Sequence, residues 1–293
     1  AFSRDGTRLA YRRFARPQLH VDADVADAVV MNADGSNPVV VARAVKGLSH
    51  MAWSPDGRTI AFSGSIDGGP GNGWTVPANG TAPPTSFFSG AGAWDPVWSP
   101  DGTQLAIGAD PGQLWVVGRD GSNPRRVSRG TYDEVGQRGE IAEWSPDGRS
   151  IVFTAGTPMA TQVFIVGLDG APERQISHGF VFAMDATWSP DGSLLAYMRA
   201  GDGTGPVIVI ANRTGETIRD LPGQYGFYQP IWSPDGSKVM ALDEQPGPSN
   251  QPGPAVIVIL DVAGESPPVE LAAPPDVANN LPDVAATWQR IAP

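Results

Sequence analysis

An all-β fold, a six-bladed β-propeller with four antiparallel strands per blade, is predicted by three features of the sequence. The first is the pentad Trp-Ser-Pro-Asp-Gly, which begins at Trp53, Trp98, Trp144, Trp188 and Trp232 and has a weaker copy in Phe2-Ser3-Arg4-Asp5-Gly6. The second is its spacing of 44–51 residues, a period that fits one four-stranded blade. The third is composition. With 36 Gly, 29 Pro and only 17% charged residues, a repeating chain is turn-rich and all-β rather than disordered.

Each unit follows one grammar. A short apolar run, such as Pro96-Val97-Trp98, forms the first strand. In Ser-Pro-Asp-Gly, proline presets φ for position i+1 of a type I turn, Asp suits i+2, and Gly takes the positive-φ position that closes a bulged hairpin. An alternating run such as Thr59-Ile60-Ala61-Phe62 or Leu194-Leu195-Ala196-Tyr197 reads as a half-buried second strand. Third strands are expected at Ala28–Met31, Leu114–Val117, Val163–Val166, Val207–Ile210 and Val256–Leu260. Second turns follow at Asp34-Gly35, Asp120-Gly121, Asp169-Gly170, Thr214-Gly215 and Ala263-Gly264, then a short fourth strand such as Arg125-Arg126-Val127. Such a unit cannot bury both faces alone, so neighbours must stack. The motif Trp residues are therefore expected as packing between blades, and the motif Asp residues as turn formers.

The pentad, the alternating strand after it and Asp-Gly-Ser-Asn-Pro at 120–124 resemble the TolB-type, WD40-like propeller repeat, which is similar to the propellers of tricorn protease and prolyl oligopeptidase relatives. The resemblance runs from Phe2 to about Leu271. It implies a propeller fold, a periplasmic setting and protein partners; the fold itself hosts many activities.

One propeller absorbs the whole chain, so residues 1–293 are expected to be a single domain. Its ring is expected to close between the N-terminal and C-terminal segments, with Ala285–Gln289 joining the first blade as an inner strand. The chain starts at Ala1 within a repeat and reads as a processed protein or an excised domain. A net charge of −11 argues against nucleic acid and anionic membrane surfaces. No apolar run is long enough to span a membrane. Cysteine is absent, which excludes a disulfide framework and a thiol nucleophile and suits an exported bacterial protein, periplasmic or extracellular. A monomer is expected.

In an up-down meander the short, stereotyped turns share one face, while the long links between repeats share the other. Function is expected on the second face, because variable loops on a rigid scaffold carry it. Trp94, Tyr132, Phe180, Phe182, Tyr225, Phe227 and Tyr228 belong to these links and form the candidate binding surface for a protein or peptide. The competing reading buries them as caps on the blade interfaces.

Two cation sites are weaker candidates. His50, Asp95, Ile141, Asp185 and Gln229 each stand three residues before a motif Trp. If first strands line a central channel, His50, Asp95 and Asp185 surround its mouth and could hold a divalent cation, although Ile141 breaks the ring. The spaced carboxylates Asp22, Asp24 and Asp27 could bind calcium, but lack the Gly and terminal Glu of an EF-type loop. Strand-start hydrogen bonding and a solvated acidic loop are the respective alternatives.

Catalysis has little support. There is no Gly-x-Ser-x-Gly elbow, and the three histidines, His20, His50 and His178, fall in different repeats. The sequence thus favours a non-enzymatic binding propeller without a resident cofactor. The alternative is a metal-dependent propeller enzyme or the gating propeller of a peptidase.

Overall fold

The computed structural model describes residues 1–14, 25–69, 71–89, 92–130, 134–135, 142–157, 160–179, 181–201, 205–221, 227–246 and 252–271. The chain divides into two compact units, Ala1–Val135 and Gly136–Ile291. The described residues form strands and turns without a helix, so none of them forms a helix long and apolar enough to cross a membrane.

The first unit carries three sheets. One is β1 (Arg8–Phe14), β2 (Val25–Asn32) and β3 (Val39–Lys46). The next is β4 (Ala52–Trp53), β5 (Thr59–Gly64), β6 (Asn72–Pro77) and β7 (Thr85–Phe88). The third is β8 (Trp94–Trp98), β9 (Gln104–Ala109), β10 (Gln113–Gly118) and β11 (Arg125–Arg126), with β12 (Glu134–Val135) after it. All pairings within these three sheets are antiparallel. The first sheet has three strands, β1 to β3. An isolated bridge pairs Phe2 with Leu9.

The second unit repeats the meander. It holds β13 (Ala142–Trp144), β14 (Ser150–Thr157), β15 (Ala160–Gly167) and β16 (Arg174–Gln175), followed by β17 (Phe182–Trp188), β18 (Leu194–Ala200), β19 (Val207–Asn212) and β20 (Thr217–Leu221). The last group is β21 (Phe227–Trp232), β22 (Lys238–Pro246), β23 (Pro252–Asp261) and β24 (Val269–Leu271). Here the fourth and fifth repeats share one sheet, which the repeat pattern does not predict. The two-residue β16 covers only Phe164 and Ile165, so the edge of β15 stays open further along. Thr161 fills that edge with a parallel pair to Phe182, its amide donating to the Val181 carbonyl at 3.2 Å.

All six pentads fold alike. The motif serine is buried and donates to the aspartate two residues on at 2.5–2.7 Å. That carboxylate accepts the amide two residues further at 3.0–3.1 Å. Each motif glycine has a φ of 66–72°, where a Cβ is strained. The Asp residues are thus turn chemistry, as their sequence context implies.

Second strands differ from the expected alternation. The segment Ile60–Gly64 of β5 is buried on both faces. Ile60 and Phe62 belong to the core shared with the first repeat, while Ala61 packs into the core shared with the third. In the second unit Leu195 and Tyr197 face the fourth repeat, and Ala196 and Met198 the sixth. A strand between two stacked sheets has no solvent face, so its polar positions are replaced by small ones.

The motif tryptophans join repeats. Trp98, Trp144, Trp188 and Trp232 are buried. Where the preceding repeat lies in the same unit, each indole N–H donates to the residue just before that repeat's motif aromatic: Trp53 to Ala1, Trp98 to Ala52, Trp188 to Glu143 and Trp232 to Thr187, at 3.0–3.3 Å. The closing segment expected at Ala285–Gln289 lies outside the described residues.

Candidate functional site

Three residues before Trp98, Trp188 and Trp232, where long links enter the first strands, the backbone is distorted. Asp95, Asp185 and Gln229 have φ values of 41°, 57° and 50°, in the left-handed region. The register slips at the same places: Trp94 to Val97, Met184 to Thr187 and Tyr228 to Ile231. Each is a β-bulge whose extra residue is left out of the ladder and re-aimed. Asp tolerates this conformation better than most residues, because its short side chain can hydrogen-bond locally.

In the first unit the bulge links neighbours. The Asp95 carboxylate accepts the His50 amide at 3.3 Å, and the His50 Nδ1 lies 3.9 Å from the same oxygen. His50 is largely exposed at 68% of its side chain, against 20% for Asp95, so the pair forms a polar edge rather than a buried ion pair. Two members of the expected ring, His50 and Asp95, are therefore adjacent. Asp185 occupies the equivalent bulge in the second unit. Among the described residues, no group of three or more His, Cys, Asp or Glu side chains stands together for a metal ion.

Asp27 has a local task. It pairs with Arg13 at 2.8 Å and accepts the amide of Ala44, itself in a left-handed conformation, at 3.0 Å. Partial burial opposes ionisation, but the Arg13 and Ala44 hydrogen bonds outweigh it and hold the carboxyl below its ordinary range. Asp22 and Asp24 lie outside the described residues.

Of the candidate aromatics, Trp94 is half-buried. Its indole lies over the backbone of Gly108, where a Cβ would stand 2.1 Å from the indole nitrogen. Phe182 is also half-buried, at the start of β17. Phe227 and Tyr228 begin β21, whose backbone is described without their side chains. Tyr132, Phe180 and Tyr225 lie outside the described residues.

The sequence reading missed a set of arginines. Arg8 stacks over Trp53 at 4.8 Å, Arg119 over Trp98 at 5.8 Å and Arg213 over Trp188 at 5.0 Å. The signal was there in two cases: Arg119-Asp120-Gly121 and Arg213-Thr214-Gly215 place arginine just before the second turn.

Comparison with known proteins places these repeats. The family model described as the TolB beta propeller domain matches residues 1–235. Tricorn protease homolog 2 of Streptomyces coelicolor is 30% identical over 191 residues, which is 64% of this chain and 14% of that protein. The Tol-Pal system protein TolB of Bordetella pertussis is 31% identical over 144 residues, 48% of this chain and 32% of that protein. The chain thus matches a third or less of the length of these curated relatives. The crystal structure of TolB from Acinetobacter baumannii superposes with a TM-score of 0.60 at 19% identity, covering 89% of this chain and 62% of that one, a likeness of fold. With its repeats, its turns and a family match over most of its length, the chain belongs to the TolB β-propeller domain family.

Proposed function

We propose that this chain is a non-enzymatic, six-bladed propeller that captures a protein or peptide through the face carrying the long inter-repeat links. The repeated bulge at Asp95, Asp185 and Gln229 carries this reading. A bulge sacrifices ladder hydrogen bonds, and three at one repeat position re-aim side chains at the end of the first strand that the links feed. The opposite, short-turn face spends its polar groups on the internal Ser–Asp hydrogen bonds of the pentads. The Tol-Pal system name of the TolB relatives fits a protein-binding role. In this reading Ala285–Gln289 closes the ring, the propeller is monomeric and exported, and His50, Trp94, Asp95, Phe182, Tyr225, Phe227 and Tyr228 meet the partner.

The tricorn relative favours a second reading, in which the propeller is one part of a peptidase and gates access to it.

The test replaces Tyr225, Phe227 and Tyr228 together with Ala and compares capture of cross-linked partners with that of the parent. Loss of capture with an unchanged denaturation midpoint supports the binding face. Undiminished capture places the partner elsewhere.

A further inference from the structure

The three arginines stacked on tryptophan differ in one respect. Arg8 donates to the Gly57 carbonyl. Arg213 donates to the Asp147 carboxylate at 3.3 Å and to Ser150 Oγ at 3.4 Å. Arg119 makes no side-chain hydrogen bond or ion pair with any described residue. It acts on Asp56 and Asp120 only through space, lowering both carboxyls as a minor influence beside their own serine hydrogen bonds.

Arg119 instead borders an open pocket of about 230 Å³ between the second and third repeats. Trp98, Pro77, Ala82 and Pro83 supply its apolar lining, and the hydroxyl-bearing Thr59 and Thr75 line the same space. The Arg119 guanidinium carbon lies 5.8 Å from the centre of the Trp98 ring, and its planar fork can take a bidentate acceptor. Its partner position is filled by protein at Arg8 and Arg213, whereas no described residue fills it at Arg119.

We propose that this pocket binds a carboxylate attached to a small apolar group. The planar fork matches a carboxylate. The neighbouring Asp56 and Asp120 and the net charge of −11 disfavour a dianion such as sulfate or phosphate. The lining of Pro77, Pro83 and Trp98 takes a small aliphatic body, and the volume limits it to about the size of one amino acid. Two sources share this chemistry, the C-terminal residue of a peptide and a free short-chain acid. The pocket stands apart from the link-face reading above, so either can fail without the other.

The reporter is the Trp98 indole N–H, followed by NMR in the intact protein. The probes are N-acetyl-L-valine for a peptide terminus, isovalerate for a free acid, N-acetyl-L-valinamide as the uncharged control, and sulfate. We expect saturable shifts with one or both carboxylates and none with the amide. Arg119→Gln should weaken carboxylate binding about tenfold or more, the loss of a charge-assisted pair. Arg119→Lys should weaken it as well, because the charge remains but the fork does not. Tighter binding of N-acetyl-L-valine identifies the peptide source, and tighter isovalerate the free acid. No saturable shift with either carboxylate overturns the proposal. So do equal binding of the amide, tighter binding of sulfate, and undiminished binding in both Arg119 variants.

Discussion

The indole N–H of Trp98 donates at 3.2 Å to the carbonyl of Ala52, the residue just before the motif Trp of the previous repeat. The same relationship recurs from Trp53, Trp188 and Trp232. One side chain thus fills the seam between two sheets and satisfies a carbonyl of the neighbouring strand. The two roles can be separated. Trp98→Phe keeps most of the buried area but loses the donor, and should cost about 1–2 kcal/mol. Trp98→Ala also opens a cavity and should cost roughly 3–5 kcal/mol. Chemical denaturation of both variants measures the difference, and equal losses would show that the hydrogen bond contributes nothing.

Acid should unfold this protein through its pentads. The Ser3 and Ser233 hydroxyls, each hydrogen-bonded to its aspartate, are the main reason that Asp5 and Asp235 fall from 3.8 to about 2. Asp56, Asp101, Asp147 and Asp191 are lowered for the same first cause. A carboxyl whose folded pKa is depressed binds its proton more readily in the unfolded chain. Its contribution is present in full above about pH 4 and disappears as pH falls toward 2. Stability measured from pH 5 to pH 2 should therefore drop steeply. Ser233→Ala removes the hydroxyl that lowers Asp235, and should flatten this slope while reducing stability at neutral pH. An unchanged slope in that variant would refute the serine as the cause.

Gly108 is constrained by Trp94. A Cβ at Gly108 would lie 2.1 Å from the Trp94 indole nitrogen, a distance that neither residue can absorb in place. Gly108→Ala should destabilise by about 1–3 kcal/mol through overpacking. Truncating the indole removes the clash, so the double variant Gly108→Ala, Trp94→Ala should be more stable than the sum of the single effects. A coupling of about 0.5–3 kcal/mol is the expected size for residues in contact. Strict additivity would mean that the indole moves aside freely. A freely moving indole would suit an exposed binding aromatic better than a packed one.

Some of this was legible in the sequence and some was not, for physical reasons. Ser-Pro-Asp-Gly specifies its own turn, because proline, aspartate and glycine each match one local backbone demand. Five of the six turns carry all three residues, and the first keeps Asp5 and Gly6 with Arg4 in place of proline. The Trp residues were readable as packing because a single position repeats an indole at blade spacing. The bulges were hidden. Asp95 and Asp185 look like polar residues at a strand entrance, and Gln229 has no marked preference for the left-handed region, so only the backbone reveals what they share. The open slot beside Arg119 was hidden too. Its position over Trp98, and its having no side-chain acceptor among the described residues, depend on β8 and the turn after β10, which meet only in the folded chain. The sheet shared by the fourth and fifth repeats depends on the shortness of β16, which the repeat period does not encode.

The bulge at Asp95 gives the last prediction, because it separates backbone demand from side-chain chemistry. At φ 41° a β-branched residue is strongly disfavoured, whereas glycine is at ease. Asp95→Val should cost about 1–3 kcal/mol, the usual size for a strained left-handed residue. Asp95→Gly relieves the backbone but removes the acceptor of the His50 amide. Its net effect should lie within about 1 kcal/mol of zero, since an exposed hydrogen bond contributes little. Asp95→Asn keeps both the left-handed tolerance and an acceptor oxygen, and should match the parent in stability. The three midpoints should therefore rank Asn, Gly, Val from most to least stable. A valine variant as stable as the asparagine one would mean that the bulge can flatten without cost, and the shared geometry of Asp95, Asp185 and Gln229 would then lose its claim to shape the strand entrance.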